Sequence, residues 1–175
     1  SKTFPAIWKM DLAENYDEFR EATRDFDVPS QNFVYADVDG NIAYQTPGRI
    51  PIRAGGDGTL PVPGWTDEYE WLGYIPFEEL PFAYNPPQGY IATANNAVVG
   101  TDYPYLITTE WDYGFRAQRI VDLIEGAPGP IDIAWMQNIQ VDGMDLNSET
   151  LLPVLMDIPL GDDHLEDVRS LLAAW

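Results

Sequence analysis

The sequence predicts an α+β fold, and three observations carry that expectation. Residues 32–46 (NFVYADVDGNIAYQT) hold two runs of β-forming residues on either side of Asp39-Gly40, a strong short-range hairpin signal. Apolar residues recur at helical spacing in residues 15–26 and again in the last third of the chain. The 175 residues are 45% apolar and 13% aromatic, which is enough to build a core and suits one domain-sized unit.

Residues 5–13 mix apolar and polar side chains and give no clear boundary. Asn15 reads as an N-cap with Glu18 three residues on, as in a capping box. Phe19, Ala22 and Phe26 then form one apolar helix face. After the hairpin, Arg49 to Arg53 can add a short strand. Residues 54–64 (AGGDGTLPVPG) are rich in glycine and proline and read as a loop. Residues 65–88 show little periodicity and are expected to cross irregularly, with one short helix near Phe77 to Leu80. Gly89 to Ala94 is expected to return to a strand.

Asp112 or a neighbour opens the next helix, which runs through Glu125 and stops at Gly126 and Pro128. Asp132 caps a second helix holding Met136 and Ile139, and Ser148 starts a third with Leu151, Leu152 and Leu155. A last helix opens near Asp162 or Asp163 and carries Leu165, Val168, Leu171, Leu172 and Trp175. About five helices are expected in all. Both ends look abrupt, since natural termini are usually polar and exposed. The expectation is a single segment, residues 1–175, cut from something longer.

Against 29 Asp and Glu stand 9 Lys and Arg, a formal net charge of −20. Such a surface is a poor partner for nucleic acid, which needs basic patches, and for an anionic membrane surface. The acidity serves solubility or, on a sharper reading, a cation site. With no cysteine, disulfides, thiolate zinc sites and cysteine nucleophiles are excluded. No apolar run approaches membrane-spanning length, and the first residues show no signal-peptide pattern.

Few constellations suggest chemistry by themselves. His164 is the one histidine, in the polar first turn of the last expected helix, so it reads as an exposed residue without triad or metal partners. Asp37, Asp39 and Asn41 resemble the start of a calcium loop. Ile42 and Gly48 stand where that loop needs Gly and Glu, and a hairpin turn is the better reading. Gly55, Gly56 and Gly58 surround Asp57 without the Lys-Ser or Lys-Thr of a phosphate loop. Glu78 with Glu79, and Glu110 with Asp112, are acid pairs that nothing brings together, so they read as solvated acids rather than a glycosidase pair. Asn95-Asn96 follows an apolar run. An Asn there can aim an un-ionised amide donor into a cleft, or serve simply as a turn former.

Several runs together resemble one family. They are NFVYADVDGNIAYQTPGRIPIR, then DGTLPVPGW, then EWLGYIPFEELPFAYNPPQGYIATANN, with FRAQRIVDLIE following. Their order, from Tyr-Ala-Asp-Val through Leu-Pro-Val-Pro-Gly to Asn-Asn, resembles the penicillin acylase (penicillin amidase) family of N-terminal-nucleophile hydrolases. The resemblance covers essentially the whole chain and is strongest from Asn32 to Glu125.

The resemblance implies an internal segment of the large subunit of an amidase, from an architecture of two antiparallel sheets between helical layers (αββα). The implied reaction hydrolyses the amide between an acyl side chain and an amine, as in penicillins, cephalosporins or acyl-homoserine lactones. In this family a Ser freed at the start of the large subunit attacks the carbonyl with its own α-amino group as base, a group that titrates near neutrality. Carried over residue by residue, the oxyanion Asn falls on Asn95 and the site Arg on Arg116. A structural calcium is also implied, with the Gly58 backbone carbonyl as one ligand and Asp102, Glu110 or Asp112 as a candidate for another. The partners implied are an N-acyl amide substrate, the remaining segments of the large subunit and the small subunit. The location implied is periplasmic or secreted.

Ser1 departs from the pattern. Lys2-Thr3-Phe4-Pro5 does not resemble the residues after the family's nucleophile, so this segment is expected to lack that Ser and to be inactive when isolated. The competing expectation, from the Trp and Tyr content, is a stand-alone aromatic-rich module that binds a ligand such as a carbohydrate without turnover.

Overall fold

The computed structural model describes residues 1–173 and confirms the α+β class, with helices and two small antiparallel sheets. The chain divides into two units. The first holds residues 1–93 and 97–111, and the second holds 94–96 and the residues from Asp112 onward.

In the first unit, α1 (Thr3–Asp11) and α2 (Tyr16–Thr23) form a helical hairpin. The region expected to lack a boundary is thus a helix, α1. It escapes a capping rule because its N-cap is Lys2, with no side-chain cap hydrogen bond. It is held instead by distant partners: Thr3 Oγ1 donates to Val28 O (2.9 Å), and Lys9 Nζ pairs with Asp25 at 2.5 Å. Helix α2 follows its expected cap, since Asn15 Oδ1 accepts from Glu18 N at 3.0 Å. Phe26 lies just past the helix, buried edge-on against Phe33 at 5.0 Å between ring centroids.

The expected hairpin is β1 (Phe33–Ala36) and β2 (Ile42–Gln45), antiparallel with Ala36 opposite Ile42. Asp37 organises its turn. Its carboxylate accepts from Asp39 N (3.0 Å), Asn41 N (2.9 Å), Asn41 Nδ2 (2.8 Å) and Tyr35 OH (3.1 Å). The Asn41 side-chain amide, more than any other donor, holds the Asp37 carboxyl below its usual range. A depressed folded value makes a contribution to stability that is present above the unfolded carboxyl range, about 3.9, and is lost as pH falls through the folded value. The gap in thermal midpoint between the native chain and Asp37→Asn is therefore expected at pH 6 and expected to close below about pH 4. A thermal melt series in pH checks this.

Residues 65–88, expected to be irregular, supply two further strands. β3 (Pro51–Arg53), which the sequence did indicate, pairs with β4 (Trp71–Tyr74) in a two-stranded sheet. β5 (Phe82–Tyr84) adds to β2, giving the order β1-β2-β5. Between β4 and β5 a 3-10 turn spans Phe77–Glu79, where a short helix was expected. Gly89–Ala94, expected as a strand, joins no ladder among the described residues, because no neighbouring strand meets its backbone.

Two clusters hold this unit together. Ile50, Ile75 and Leu80 are buried, with Ile52, Phe77, Tyr105 and Ile107 packed around them. At the end of β2, Gln45 is fully buried and its Oε1 accepts from Arg20 Nε at 3.2 Å. The same guanidinium lies over Phe77 and Phe82, at 4.9 and 4.6 Å from their centroids.

The second unit is helical: α3 (Phe115–Glu125), α4 (Ile133–Gln140), α5 (Leu146–Met156) and α6 (Asp163–Ala173). With α1 and α2 this makes six α-helices among the described residues, against the five expected. Helix α3 starts three residues after Asp112, because Gly114 takes φ +89°, a left-handed turn that glycine adopts without strain. Asp132 caps α4 as expected, accepting from Trp135 N at 2.8 Å. Helix α5 begins two residues before Ser148, since Asp145 is its cap. Polar joints tie the helices: Trp135 Nε1 donates to Leu123 O (3.0 Å), and Arg119 grips Asp142 through two bonds of 2.8 and 2.7 Å. His164 is exposed, as expected. Trp175, assigned to the face of the last helix, lies outside the described residues.

Candidate active site

The short segment 94–96 belongs to the second unit because the backbone around Asp112 captures it. Asp112 N donates to Asn95 O at 2.9 Å, and Asn96 forms an isolated parallel bridge with Asp112. Asn95 itself sits at φ +63°, in the left-handed region. Asn is one of the few non-glycine residues that visit this region, and such backbone strain clusters at functional sites. The turn-former reading and the site reading of Asn95 thus describe one conformation: the turn exposes the amide.

Arg116 reaches this turn from the first turn of α3. Its Nη2 donates to Ala94 O (2.8 Å), Asn95 Oδ1 (2.9 Å) and Asp112 Oδ2 (3.0 Å). A guanidinium can only donate, so the edge of the Asn95 amide that faces it must be the oxygen. Both N–H bonds of Nδ2 are then directed away from the guanidinium. The arrangement can present an un-ionised amide donor to an oxygen that gains negative charge.

The structure therefore brings Asn95 and Arg116 together. It also adds Asp112, which the sequence reading weighed as a helix opener, a solvated acid or a cation ligand. Arg116, followed by the Gly114 N–H, holds the Asp112 carboxyl below its usual range. The signal that could have found this contact is the spacing of four between an acid and an arginine. Two open clefts elsewhere in this unit, of about 510 and 640 Å³, contain neither Asn95 nor Arg116.

Gly58 lies in the first unit at φ +85°. Its Cα faces the Arg53 guanidinium, and a Cβ added there would meet Nη2 at 2.8 Å. Asp57 beside it accepts from Thr59 N (2.9 Å) and Thr59 Oγ1 (2.6 Å). Among the described residues no three His, Cys, Asp or Glu side chains gather. A calcium ion takes six to eight oxygen ligands, backbone carbonyls as well as carboxylates. Asp112, one of the acids considered for it, already faces the cationic Arg116.

The family profile described as Penicillin amidase matches residues 1–175, and the chain belongs to that family. Penicillin acylase 2 proenzyme of a Pseudomonas species (strain SE83) is 34% identical over 99% of this chain and 22% of its own length. Penicillin G acylase of Escherichia coli is 40% identical over 81% of this chain and 17% of its own. Acyl-homoserine lactone acylase QuiP of Pseudomonas fluorescens is 38% identical over 70% of this chain and 15% of its own. Among solved structures, a thermostable penicillin G acylase from Alcaligenes faecalis superposes with a TM-score of 0.70 at 30% identity, over 99% of this chain and 32% of that one. The chain thus spans about a fifth of the length of the curated relatives it matches.

Proposed function

We propose that this chain is the segment of an N-acyl amidase that supplies the oxyanion donor, and that the nucleophile lies outside it. The observation that carries the reading is Asn95, held at φ +63° with its side-chain Oδ1 accepting from Arg116 Nη2. When a nucleophile attacks an amide carbonyl, negative charge builds on the carbonyl oxygen. A preset N–H donor stabilises that charge without any reorganisation at the moment of reaction. Asn95 Nδ2 is that donor, and Arg116 fixes which edge of the amide faces the substrate. Family membership supports a linear N-acyl amide as substrate, of the β-lactam or acyl-homoserine lactone kind, and further large-subunit and small-subunit segments as partners. It favours this reading over a stand-alone aromatic binding module.

Ser1 is not the nucleophile in this reading. Its Oγ donates to Thr3 Oγ1 at 2.9 Å and accepts from Thr3 N at 3.2 Å, so the hydroxyl is occupied within the first turn of the chain. Ser1→Ala in the complete acylase carrying this segment is expected to keep kcat within about twofold on chromogenic N-acyl amides, as surface substitutions usually do. Loss of turnover in that variant would make Ser1 the nucleophile and overturn the assignment.

A further inference from the structure

We propose that Asp112 is a positioning residue for the oxyanion amide, acting through Arg116; this rests on the reading of Asn95 given above. Arg116 is exposed over 58% of its side chain, and a long exposed arginine left to itself samples many rotamers. Its Nη2 carries two hydrogens, yet three acceptors surround it: Ala94 O, Asn95 Oδ1 and Asp112 Oδ2. The three share those hydrogens, so the nitrogen is centred among them rather than aimed at one. Of the three, the Asp112 carboxylate is the one with a formal charge, and a charge-assisted contact is the strongest of the set.

The carboxylate is itself fixed. Its other oxygen accepts from Gly114 N at 3.2 Å, across the left-handed turn that opens α3. The backbone N–H of the same residue donates to Asn95 O at 2.9 Å. One residue therefore holds the main chain of Asn95 with one group and the cation that orients its amide with another. An exposed ion pair of this kind contributes little to global stability. Its consequence is geometric: it sets where Arg116 stops, and so which way Nδ2 points.

The test uses the complete acylase carrying this segment, a chromogenic N-acyl amide, and the thermal midpoint of every variant. Asp112→Ala is expected to lower kcat about ten- to a hundredfold with KM within about twofold, the effect of a misaligned donor rather than lost binding. Asp112→Asn keeps an acceptor oxygen toward Arg116 and is expected to recover most of that loss. On an Arg116→Ala background, Asp112→Ala is expected to cost nothing further, because the two act in series. Equal losses on both backgrounds, or an unchanged kcat in Asp112→Ala while Asn95→Gly is crippled, would overturn the proposal and leave the Asn95 reading standing. Unchanged turnover in Asn95→Gly would overturn the Asn95 reading itself.

Discussion

Asn95→Gly in the complete acylase is expected to lower kcat about 100- to 1,000-fold while KM moves by no more than about twofold. The size follows from losing one preset donor to the oxyanion. The split follows from its timing, since the donor matters most once the carbonyl oxygen is charged. Glycine is the informative replacement because Asn95 sits at φ +63°. Alanine there would add left-handed strain of about 1–2 kcal/mol, and a loss of activity could then be a loss of folding. Glycine takes that φ freely, so the backbone turn survives and the amide alone is removed. Asn95→Asp is the companion variant. It keeps the shape and strengthens the pair with Arg116, but places a negative charge where the oxyanion forms. Its kcat is expected to fall at least as far as that of Asn95→Gly. Steady-state kinetics on one chromogenic N-acyl amide, with both variants folded by thermal melt, checks both.

What was legible in the sequence was what short-range hydrogen bonding decides. Asn15 caps α2 and Asp132 caps α4 because a side-chain oxygen three residues upstream meets an orphan N–H wherever the rest of the chain goes. The Asp37–Asn41 turn is of the same kind. The strands β4 and β5 were not legible. Trp71, Leu72, Tyr74, Phe82 and Tyr84 are all exposed large apolar or aromatic side chains, so no apolar-inward, polar-outward alternation marks these strands. They are strands because β3 and β2 meet their backbones, which is a tertiary fact. Helix α1 was hidden for a similar reason, since its N-terminal end is secured by Asp27 and Val28 rather than by its own cap. At the site, Asn95 and Arg116 came from family resemblance, whereas residue chemistry alone left Asn95 between a turn and a donor. The left-handed φ and the Arg116 contact fit both roles, because the turn that Asn95 makes also leaves its side chain exposed. Asp112 was legible in principle from its spacing to Arg116, but acid–arginine spacings of four are common on helix surfaces. What sets this one apart is the contact of the same residue with Asn95 O.

Leu80→Ala is expected to destabilise the first unit by about 3 kcal/mol, within the range of about 2–5 for emptying a buried leucine site. Leu80 is 2% exposed and packs with Ile50 and Ile75, and Ile52, Phe77, Tyr105 and Ile107 close the cluster. Collapse into the vacated space is opposed by the polar ties on either side. Tyr103 OH donates to Glu79 O at 2.7 Å, Tyr105 OH donates to the Glu79 carboxylate at 2.5 Å, and Ile75 N donates to Ile50 O at 2.9 Å. The cavity therefore persists, and the penalty sits in the middle of the range rather than at its foot. The Ile75 amide is the local reporter, because its hydrogen bond crosses the cluster. For an amide that exchanges by opening of the unit, a loss of about 3 kcal/mol lowers protection on the order of a hundredfold. Leu151→Ala is the control: Leu151 is 48% exposed in the second unit, and its removal is expected to stay within about 0.5 kcal/mol. Asn95 and Arg116 draw on contacts with Ala94 and Asp112, none of which involve Leu80. Below the melting range, then, Leu80→Ala is expected to leave kcat near its native value while Asn95→Gly abolishes most of it at nearly native stability. That crossed pattern separates a residue that holds the fold from one that acts on the substrate.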